Sequence, residues 1–501
     1  MPGTESALPP TASTALPMSS VPAGAGPATA SVYSGRRDLP ALLGLLALAA
    51  ALRLWMFRFP FEQDELYTFF EARDLFATQL EPGIDARPLY YLFQHALLWV
   101  LPPTEFWLRL PPLVFGLAGV AMTWYAARRF FGGGAALVAG LAVTLAPWHI
   151  HISAMARYWS LLYLLAAIYF LSLVLGYRSD GRRPLMFALV ALVAGTATHP
   201  TFAFAAAGGA LGASLVRADG SFGWRWPSRR AWTLLWLPYA TFLAVGALAL
   251  SLTGNEEAVR NWGSRGLLAG LRLVPAIVEW LTPLVAIAAA IGIVLALGTR
   301  DPARRTWAAV AFGGATVGVL LLIAASAVTS VYADYAAAAL PLLFIGVGAL
   351  AASALERLRS GGTQFLAVCL LLIGGALLPN VASQLSSGTR FDYRPAFRHI
   401  QQTAPDRPVL MWPVVLQQHY APGLDGRVLR IQRQFLDETL GQEGDLWLVA
   451  SLRRYGYSWD DSHILPAWLE RNCTLEHTYE RARFDYRRYR AELYRCRSSG
   501  L

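Results

Sequence analysis

Lysine is absent from the sequence, and charge of either sign is scarce. All 42 basic residues are arginines, and charged residues make up 15% of the 501, compared with roughly 25% in an ordinary soluble domain. Hydrophobic residues make up 55% of the chain, and its mean hydropathy is +0.41. This composition excludes a soluble globular protein. Apolar runs of about 20 residues recur through the first three quarters of the chain, so the sequence predicts a polytopic α-helical membrane protein.

Cysteine is equally scarce. Three cysteines define neither a disulfide scaffold nor a cysteine metal cluster. Cys369 lies in an apolar run, whereas Cys473 and Cys496 lie in the polar C-terminal region, where they could pair if that region faces an oxidising compartment. The sequence also contains no His-x-x-x-His spacing. We therefore predict no metal site, and a divalent metal cofactor has no support.

Three regions follow from the composition. Residues 1–35 are rich in Ser, Thr, Ala, Pro and Gly and predict a disordered cytoplasmic tail. An apolar run then continues to Phe57 without a small-residue cleavage site, so it predicts a first transmembrane helix rather than a cleaved signal peptide. We expect a transmembrane domain over 36–380 and a small extracytoplasmic α/β domain over 381–501.

Arginine clusters border the apolar runs and indicate topology, so the net charge of +10 does not imply a nucleic-acid partner. With Arg36 and Arg37 inside the cell, the positive-inside rule predicts eleven helices in the cytoplasmic membrane and a C-terminal domain outside it. The predicted spans are the runs 39–57, 106–127, 133–152, 159–177, 185–198, 201–216, 231–252, 273–298, 307–329, 336–355 and 364–379.

The first external loop, residues 58–105, is long enough to carry function. Its apolar segment Pro88–Leu101 is short for a membrane span and predicts a juxtamembrane or re-entrant helix. In the C-terminal region, alternating segments predict strands at Pro408–Trp412, Arg427–Gln432 and Asp445–Ser451 and an edge strand at Phe484–Cys496. Helices are expected at Tyr393–Thr403, Leu436–Leu440 and Ile464–Arg471.

Candidate functional residues gather at the external ends of the predicted helices. Asp64 and Glu65 lie just outside the first helix, either as a solvated helix start or as catalytic acids. Arg87 in the same loop could hold a phosphate, because an acid for a hydroxyl and a guanidinium for a phosphate are what a lipid-phosphate-dependent transferase needs. Arg157 is either an interfacial anchor or a second phosphate ligand, and His199 is more typical of a hydrogen-bonding histidine than of a metal ligand.

Five ordered segments between about 39 and 355 resemble motifs of the GT-C superfamily of polyprenyl-phosphate-dependent glycosyltransferases. The similarity is to the branch with protein O-mannosyltransferases and aminoarabinose transferases of lipid A. The segments are Asp64-Glu65-Leu66-Tyr67-Thr68, Asp85-Ala86-Arg87-Pro88-Leu89-Tyr90-Tyr91, the stretch from Arg109 to Gly116, the stretch from Ala146 to Tyr158, and Thr198-His199-Pro200.

The resemblance implies roles for these residues. Asp64 would deprotonate the acceptor hydroxyl, which attacks the anomeric carbon with inversion, and Glu65 would share the acid/base role or position the acceptor. Arg87 would hold the donor phosphate, with Arg157 as a second candidate. The remaining candidates would line the cavity: Tyr67, Asp85, Tyr90 and His199.

Three departures from the family pattern limit what the resemblance implies. Met155 stands where relatives carry Glu, and Asp334 stands where many carry Arg. Tyr67 stands where aminoarabinose transferases have an Arg after the acidic pair. These differences weaken any transfer of metal binding, or of aminoarabinose as the donor sugar, to this chain.

The sequence therefore predicts an inverting glycosyltransferase, embedded in the lipid bilayer, that moves a sugar from a polyprenyl-phosphate donor to an extracytoplasmic acceptor, which is an envelope glycan, lipid or protein. A flippase or transporter of lipid-linked sugars is the alternative, although the sequence shows neither repeated halves nor broken helices with polar residues at the midplane. A catalytically inactive assembly protein, whose C-terminal domain docks a partner, is a third possibility.

Overall fold

The computed structural model describes most of the chain. The described ranges are 35–75, 87–241, 270–327, 331–358, 361–389, 392–411, 415–424, 428–430, 436–453, 456–457, 464–484 and 487–497. Three predictions fall wholly or partly outside these ranges: the N-terminal tail up to residue 34, the position of Asp85, and the second half of the run 231–252.

Helices dominate the first 390 residues. Those of the first half are α1 Gly35–Met56, α2 Gln63–Arg73, α3 Pro88–Leu98, α4 Glu105–Phe131, α5 Gly133–Leu145, α6 Pro147–Ser153, α7 Trp159–Ser179, α8 Arg182–Thr198 and α9 Phe202–Ser214. They are followed by Arg229–Ala231 with the π-helical turn Trp232–Trp236, Leu273–Leu281, Pro283–Leu297, Pro302–Ala325, the 3₁₀ turn Ala333–Ala339 with Leu340–Leu355, and Gly362–Ser387. The last of these continues past the predicted domain boundary at 380.

Within the described residues, six helices are long and apolar enough to cross a membrane, or up to eight if each of two bent pairs is one span. The predicted polytopic helical architecture is confirmed at this level. The number eleven stays a prediction, because α8 and α9 have only 17 and 13 residues and the run 231–252 is described only in part.

Small residues let α9 approach the helix Pro302–Ala325 closely. A Cβ added to Gly212 would lie 2.0 Å from the Ala309 carbonyl oxygen, and one added to Gly208 would lie 2.1 Å from the Gly313 oxygen. Because lipid tails give no hydrophobic drive for helix association, such backbone contact is a main source of packing energy in a bilayer. Alanine at either position would force these two helices apart.

The helices α5 and α6 form one bent pair, with an angle of 65° between them. Pro147 opens α6 and has no N–H, so the Val143 carbonyl at the end of α5 lacks its usual helical donor. Arg53 of α1, which is fully buried, donates to the carbonyls of Val143 and Thr144 at 3.5 and 3.3 Å and lies 2.7 Å from His149 Nδ1. This arginine therefore caps the broken helix.

This bent pair corrects one sequence-based expectation. From the sequence we expected no broken helices with polar residues at the midplane, yet α5 and α6 form a broken helix, and Arg53 and His149 beside it are both fully buried. A second pair, Leu273–Leu281 and Pro283–Leu297, bends by 100°. Proline at the start of the second helix accounts for the position of each break. The lack of broken helices thus no longer argues against a transporter.

The first loop contains two short helices. The predicted apolar helix is α3, which has 11 residues and is therefore too short to span a bilayer. The acidic segment before it forms α2, whose first turn carries Asp64 and Glu65, where negative charge is favourable for the helix dipole.

The C-terminal region forms the expected α/β domain. Its sheet has, among the described residues, six strands in the order β2-β1-β3-β6-β5, with β4 paired to β3. The strands are β1 Val409–Met411, β2 Val428–Arg430, β3 Asp445–Arg453, β4 Gly456–Tyr457, β5 Cys473–Phe484 and β6 Arg487–Arg497. Helices at Arg394–Thr403, Val415–Tyr420, Leu436–Glu443 and Leu465–Asn472 accompany it.

The strand and helix predictions in this domain are confirmed, with one exception. The segment predicted as an edge strand forms β6, which lies inside the sheet between β3 and β5, and the edge is β5. The inside position fits the burial of Ala491 and Leu493. A disulfide joins Cys473 at the start of β5 to Cys496 of β6, which settles the pairing that the sequence left open.

This domain packs against the first loop through one shared apolar cluster. The loop contributes Phe61, Leu66, Tyr67 and Phe69. The C-terminal domain contributes buried residues from its helices and strands, including Tyr393, Phe397, Met411, Leu416, Trp447 and Leu493. The start of α2 is therefore held between the membrane helices and the C-terminal domain.

Candidate active site

The two adjacent carboxylates of α2 have different environments. The Glu65 side chain is 1% exposed, whereas the Asp64 side chain is 38% exposed. Consecutive residues of a helix point about 100° apart, so a half-buried helix turns one into the interior and the other outward. Of the pair, Asp64 is the one that a substrate can reach.

Glu65 is a structural clamp. In the described part of the chain its carboxylate accepts four hydrogen bonds, from Arg109 Nε at 2.7 Å and Nη2 at 2.6 Å, from the Glu62 N–H at 2.9 Å and from the Ala156 N–H at 2.7 Å. A carboxylate has about four acceptor positions, so no position is left for a substrate proton. The geometry argues against the acid/base role that the family resemblance gave to Glu65.

Arg109 is a site residue that the sequence interpretation left without a role. Besides its bidentate pair with Glu65, it donates to the carbonyl oxygens of Phe59 at 2.7 Å and Pro60 at 3.0 Å. Its side chain is 4% exposed, and a buried charge of this kind requires a partner. An arginine in the first turns of an apolar helix was the available signal.

The clamp positions the residues on either side of it. Glu65 precedes Thr68 by one turn and follows Asp64 directly, while Ala156 directly precedes Arg157. Arg157 Nη2 lies 3.6 Å from Asp64 Oδ2, and its Nη1 donates to the Asp64 carbonyl at 3.1 Å and to the Thr68 hydroxyl at 3.2 Å. The exposed acid and a buried guanidinium are thus held side by side.

Arg87, the residue just before α3, contacts the same tyrosine ring as Arg157. Its guanidinium carbon lies 4.9 Å from the centre of the Tyr158 ring, and that of Arg157 lies 5.2 Å from the same ring. Two guanidinium groups that contact one aromatic ring repel each other, so an anion within reach of both is attracted by both. Of the four side chains that the sequence proposed for the reaction, Glu65 is held by Arg109. Asp64 lies beside Arg157, and Arg157 and Arg87 contact the same tyrosine ring.

Aromatic rings and His199 form a wall beside these arginines. The His199 ring centre lies 5.4 Å from that of Tyr158, 5.1 Å from that of Trp159 and 4.9 Å from that of Tyr335. Burial, followed by the charges of Arg87 and Arg157, holds the pKa of His199 well below its usual range. The imidazole is therefore neutral near pH 7 and adds no further positive charge.

The remaining described candidates, Tyr90 and Tyr67, lie in different places. Tyr90 contacts the edge of Tyr158 at 6.2 Å between ring centres, and its hydroxyl accepts a hydrogen bond from Gln94 at 3.0 Å. Tyr67 lies instead in the cluster shared with the C-terminal domain, with its hydroxyl 3.0 Å from Gln63 Nε2. Tyr67 thus belongs to the domain contact. Among the described residues, no group of three or more His, Cys, Asp or Glu side chains could hold a metal ion.

Comparison with solved structures gives the fold. The chain is similar to ArnT from Cupriavidus metallidurans in its apo state, with 16% identity, a TM-score of 0.50, and coverage of 91% of this chain and 98% of that one. It is similar to the same protein bound to undecaprenyl phosphate with 15% identity, a TM-score of 0.50, and coverage of 92% and 98%. No protein-family model and no curated protein matches the sequence. The expected GT-C fold with a small C-terminal sheet domain is confirmed.

Proposed function

We propose that this chain is an inverting glycosyltransferase of the GT-C superfamily, which transfers a sugar from a polyprenyl-phosphate donor to an acceptor outside the cytoplasmic membrane. One observation carries the proposal. The accessible carboxylate of Asp64 lies 3.6 Å from Arg157, and Arg157 shares the Tyr158 ring with Arg87. An accessible acid and two guanidinium groups are therefore linked through Arg157 and the Tyr158 ring at the end of the membrane helices.

This arrangement suits a single displacement. Asp64 takes the proton from an acceptor hydroxyl, whose oxygen forms a bond to the anomeric carbon. The bond from that carbon to the phosphate oxygen breaks, and its electron pair leaves with the polyprenyl phosphate. Arg87 stabilises the charge that develops on the leaving phosphate, so its contribution is greatest in the transition state.

The two arginines have different parts in this scheme. Arg157 is engaged with the carboxylate, the backbone carbonyl and the neighbouring hydroxyl on α2, so it orients Asp64. Arg87 approaches the Tyr158 ring from the other helix of the loop. We assign the phosphate chiefly to Arg87, with Arg157 as a second ligand.

The solved neighbours support the donor class. ArnT is a GT-C glycosyltransferase, and one of its structures contains undecaprenyl phosphate. We propose a polyprenyl-phosphate donor for this chain as well, because the guanidinium groups of Arg87 and Arg157 can bind a phosphate. In this proposal the chain moves a hexosyl or pentosyl group to a glycan, lipid or protein acceptor.

The disulfide supports the proposed orientation. Cys473 and Cys496 are bonded, and such bonds persist in oxidising compartments. We therefore propose that the domain 381–501 lies outside the cytoplasmic membrane, with the N-terminal tail, residues 1–35, in the cytoplasm and the membrane domain, 36–380, between them.

A transfer assay tests the function. The purified full chain in lipid vesicles is incubated with a panel of radiolabelled polyprenyl-phosphate sugars and an envelope extract, and the labelled product is identified. We expect label to move from lipid to acceptor with at least one donor. Asp64→Asn should lower the rate roughly 10²- to 10⁴-fold, as expected for loss of a general base, while undecaprenyl phosphate still binds.

The control is Asp74→Asn at the other end of α2. The Asp74 side chain is 35% exposed and pairs with Arg73 at 2.5 Å, so this variant makes the same chemical change away from the arginine cluster. It should retain the wild-type rate. Movement of labelled lipid across the vesicle membrane with no transfer would favour the flippase instead, and high turnover by Asp64→Asn would remove that residue from the role of base.

A further inference from the structure

One hydroxyl of the C-terminal domain reaches into the first loop. Tyr420 ends the helix Val415–Tyr420, and its oxygen accepts a hydrogen bond from the Phe61 N–H and donates one to Glu105 Oε1 at 2.7 Å. Burial, together with the neighbouring Glu105, raises the pKa of Tyr420. The phenol therefore stays protonated near neutral pH and remains a donor.

The two partners of this hydroxyl lie at opposite ends of the loop. Phe61 precedes the first turn of α2, which carries Asp64. Glu105 is the first residue of α4, one turn before Arg109, the partner of Glu65. The Tyr420 side chain thus joins the segment before α2, which carries Asp64, to the start of α4, which carries Arg109.

Packing around the hydroxyl reinforces this link. The His419 ring lies 5.7 Å from Phe61 and 6.4 Å from Phe69 between ring centres, and its Nε2 lies 3.9 Å from Glu105 Oε1. On its other side, Phe61 meets the Arg109 guanidinium at 4.9 Å. Phe61 is 1% exposed, so its N–H has no access to water as a replacement acceptor.

We propose that Tyr420 is a positioning residue, through which the C-terminal domain fixes the start of α2 and therefore the location of Asp64. This rests on the proposed function, in which Asp64 is the base. Tyr420 acts through the Phe61 backbone, three residues before Asp64. Arg87, to which the phosphate is chiefly assigned, contacts Tyr158 and precedes α3 rather than α2, so donor binding through it is independent of this hydroxyl.

The test compares two Tyr→Phe changes in the full chain. Tyr420→Phe should lower kcat roughly 10- to 100-fold, because small misplacements of a catalytic group cost about this much. The KM for the donor and the Kd for undecaprenyl phosphate should stay at the wild-type values. Hydrogen exchange should rise in peptides spanning 59–73. Tyr479→Phe, in β5 of the same domain, should change none of these.

Glu105 provides the second variant. Glu105→Ala removes the acceptor and should reproduce the loss in kcat, whereas Glu105→Gln keeps an acceptor oxygen and should retain most of the activity. A purely structural role would instead lower the melting temperature and change donor affinity and kcat together.

The outcomes separate the two proposals. Wild-type turnover by Tyr420→Phe, in a preparation whose unchanged chain is active, overturns the positioning role and leaves the transferase proposal intact. If the unchanged chain transfers none of the sugars, the transferase proposal fails. In that case the hydrogen exchange of residues 59–73 still tests the positioning role. Unchanged hydrogen exchange in Tyr420→Phe overturns the proposal that Tyr420 positions α2, and increased hydrogen exchange supports it.

Discussion

At the scale of single residues, the neighbours Asp64 and Glu65 show how one helix turn can leave one carboxylate accessible and bury the other. Glu65 joins α2 to α4 and to the segment before Arg157 through its hydrogen bonds. Breaking a buried pair of this kind costs far more than the pair contributes to stability, because it leaves an uncompensated charge. The Asp64 side chain, outside the Glu65–Arg109 pair, stays accessible to a substrate, which is what a base requires.

The two arginines of the site give a prediction that separates binding from catalysis. Arg87→Ala should raise the Kd for undecaprenyl phosphate, because a hydrogen bond to a charged group contributes about 1.5–3 kcal/mol, or roughly 10- to 150-fold in affinity. Arg157→Ala should lower kcat more than it weakens binding, because Arg157 lies 3.6 Å from Asp64 and orients it. Binding is measured by titration calorimetry and turnover by label transfer.

The control for both variants is Arg73→Ala, since the Arg73 side chain is 51% exposed and pairs with Asp74. It should match the unchanged chain in both assays. Unaltered affinity in Arg87→Ala would mean that the phosphate is held elsewhere.

At this scale the sequence indicated the groups that we propose for the reaction but not the groups that hold them in place. Asp64, Arg87 and Arg157 stand in recognisable short motifs, so their types and order were informative. The roles of Arg53 and Arg109 depend on partners 96 and 44 residues away in the chain, His149 and Glu65. Such partners become visible only when the helices are packed.

At the scale of helices and strands, the bend between α5 and α6 depends on a side chain from a third helix. Pro147 deprives Val143 of its donor, and the buried Arg53 supplies a replacement. In a bilayer each backbone carbonyl requires an internal partner. The broken helix is therefore stable only together with α1.

This dependence gives a stability prediction. Arg53→Leu should destabilise the protein by about 1–3 kcal/mol for each buried group left without its partner. Thermal unfolding in detergent measures the effect, with Arg73→Leu as the exposed control, which should stay within about 0.5 kcal/mol of the unchanged chain. Equal melting temperatures for the two variants would show that water or another side chain satisfies those carbonyls.

The strand predictions succeeded where apolar residues are buried on both faces of the sheet. Val409–Met411 and residues 446–451 are buried throughout, and both lie in strands found where expected. The strand β5 escaped prediction because it is an edge strand, whose residues from Thr474 to Thr478 are exposed. The order of strands depends on pairing between distant segments, so the sequence placed β6 at the edge wrongly.

At the scale of the whole molecule, α4 connects the end that carries the candidate site to the opposite end of the membrane domain. It has 27 residues and is therefore roughly 40 Å long. Its first turns carry Glu105 and Arg109, next to the acid and the C-terminal domain. Its last turn carries Arg128, which pairs with Asp38 at 2.7 Å.

This polarity matches the orientation derived from the arginine clusters. Arg304 donates to the Phe130 carbonyl at 2.9 Å, so two of the predicted cytoplasmic ends meet at the Arg128 end of α4. The candidate site and the disulfide-bonded domain lie at the other end. We therefore expect a crevice for the donor phosphate that opens away from the cytoplasm, beneath the C-terminal domain.

The most direct measurement is a cryo-electron microscopy map of the full chain in a lipid nanodisc with undecaprenyl phosphate. We predict phosphate density within hydrogen-bond distance of the Arg87 guanidinium, with the Asp64 carboxylate beside the same crevice. Phosphate density at the Arg128 end of α4, or at any position beyond the reach of both Arg87 and Arg157, would contradict this account.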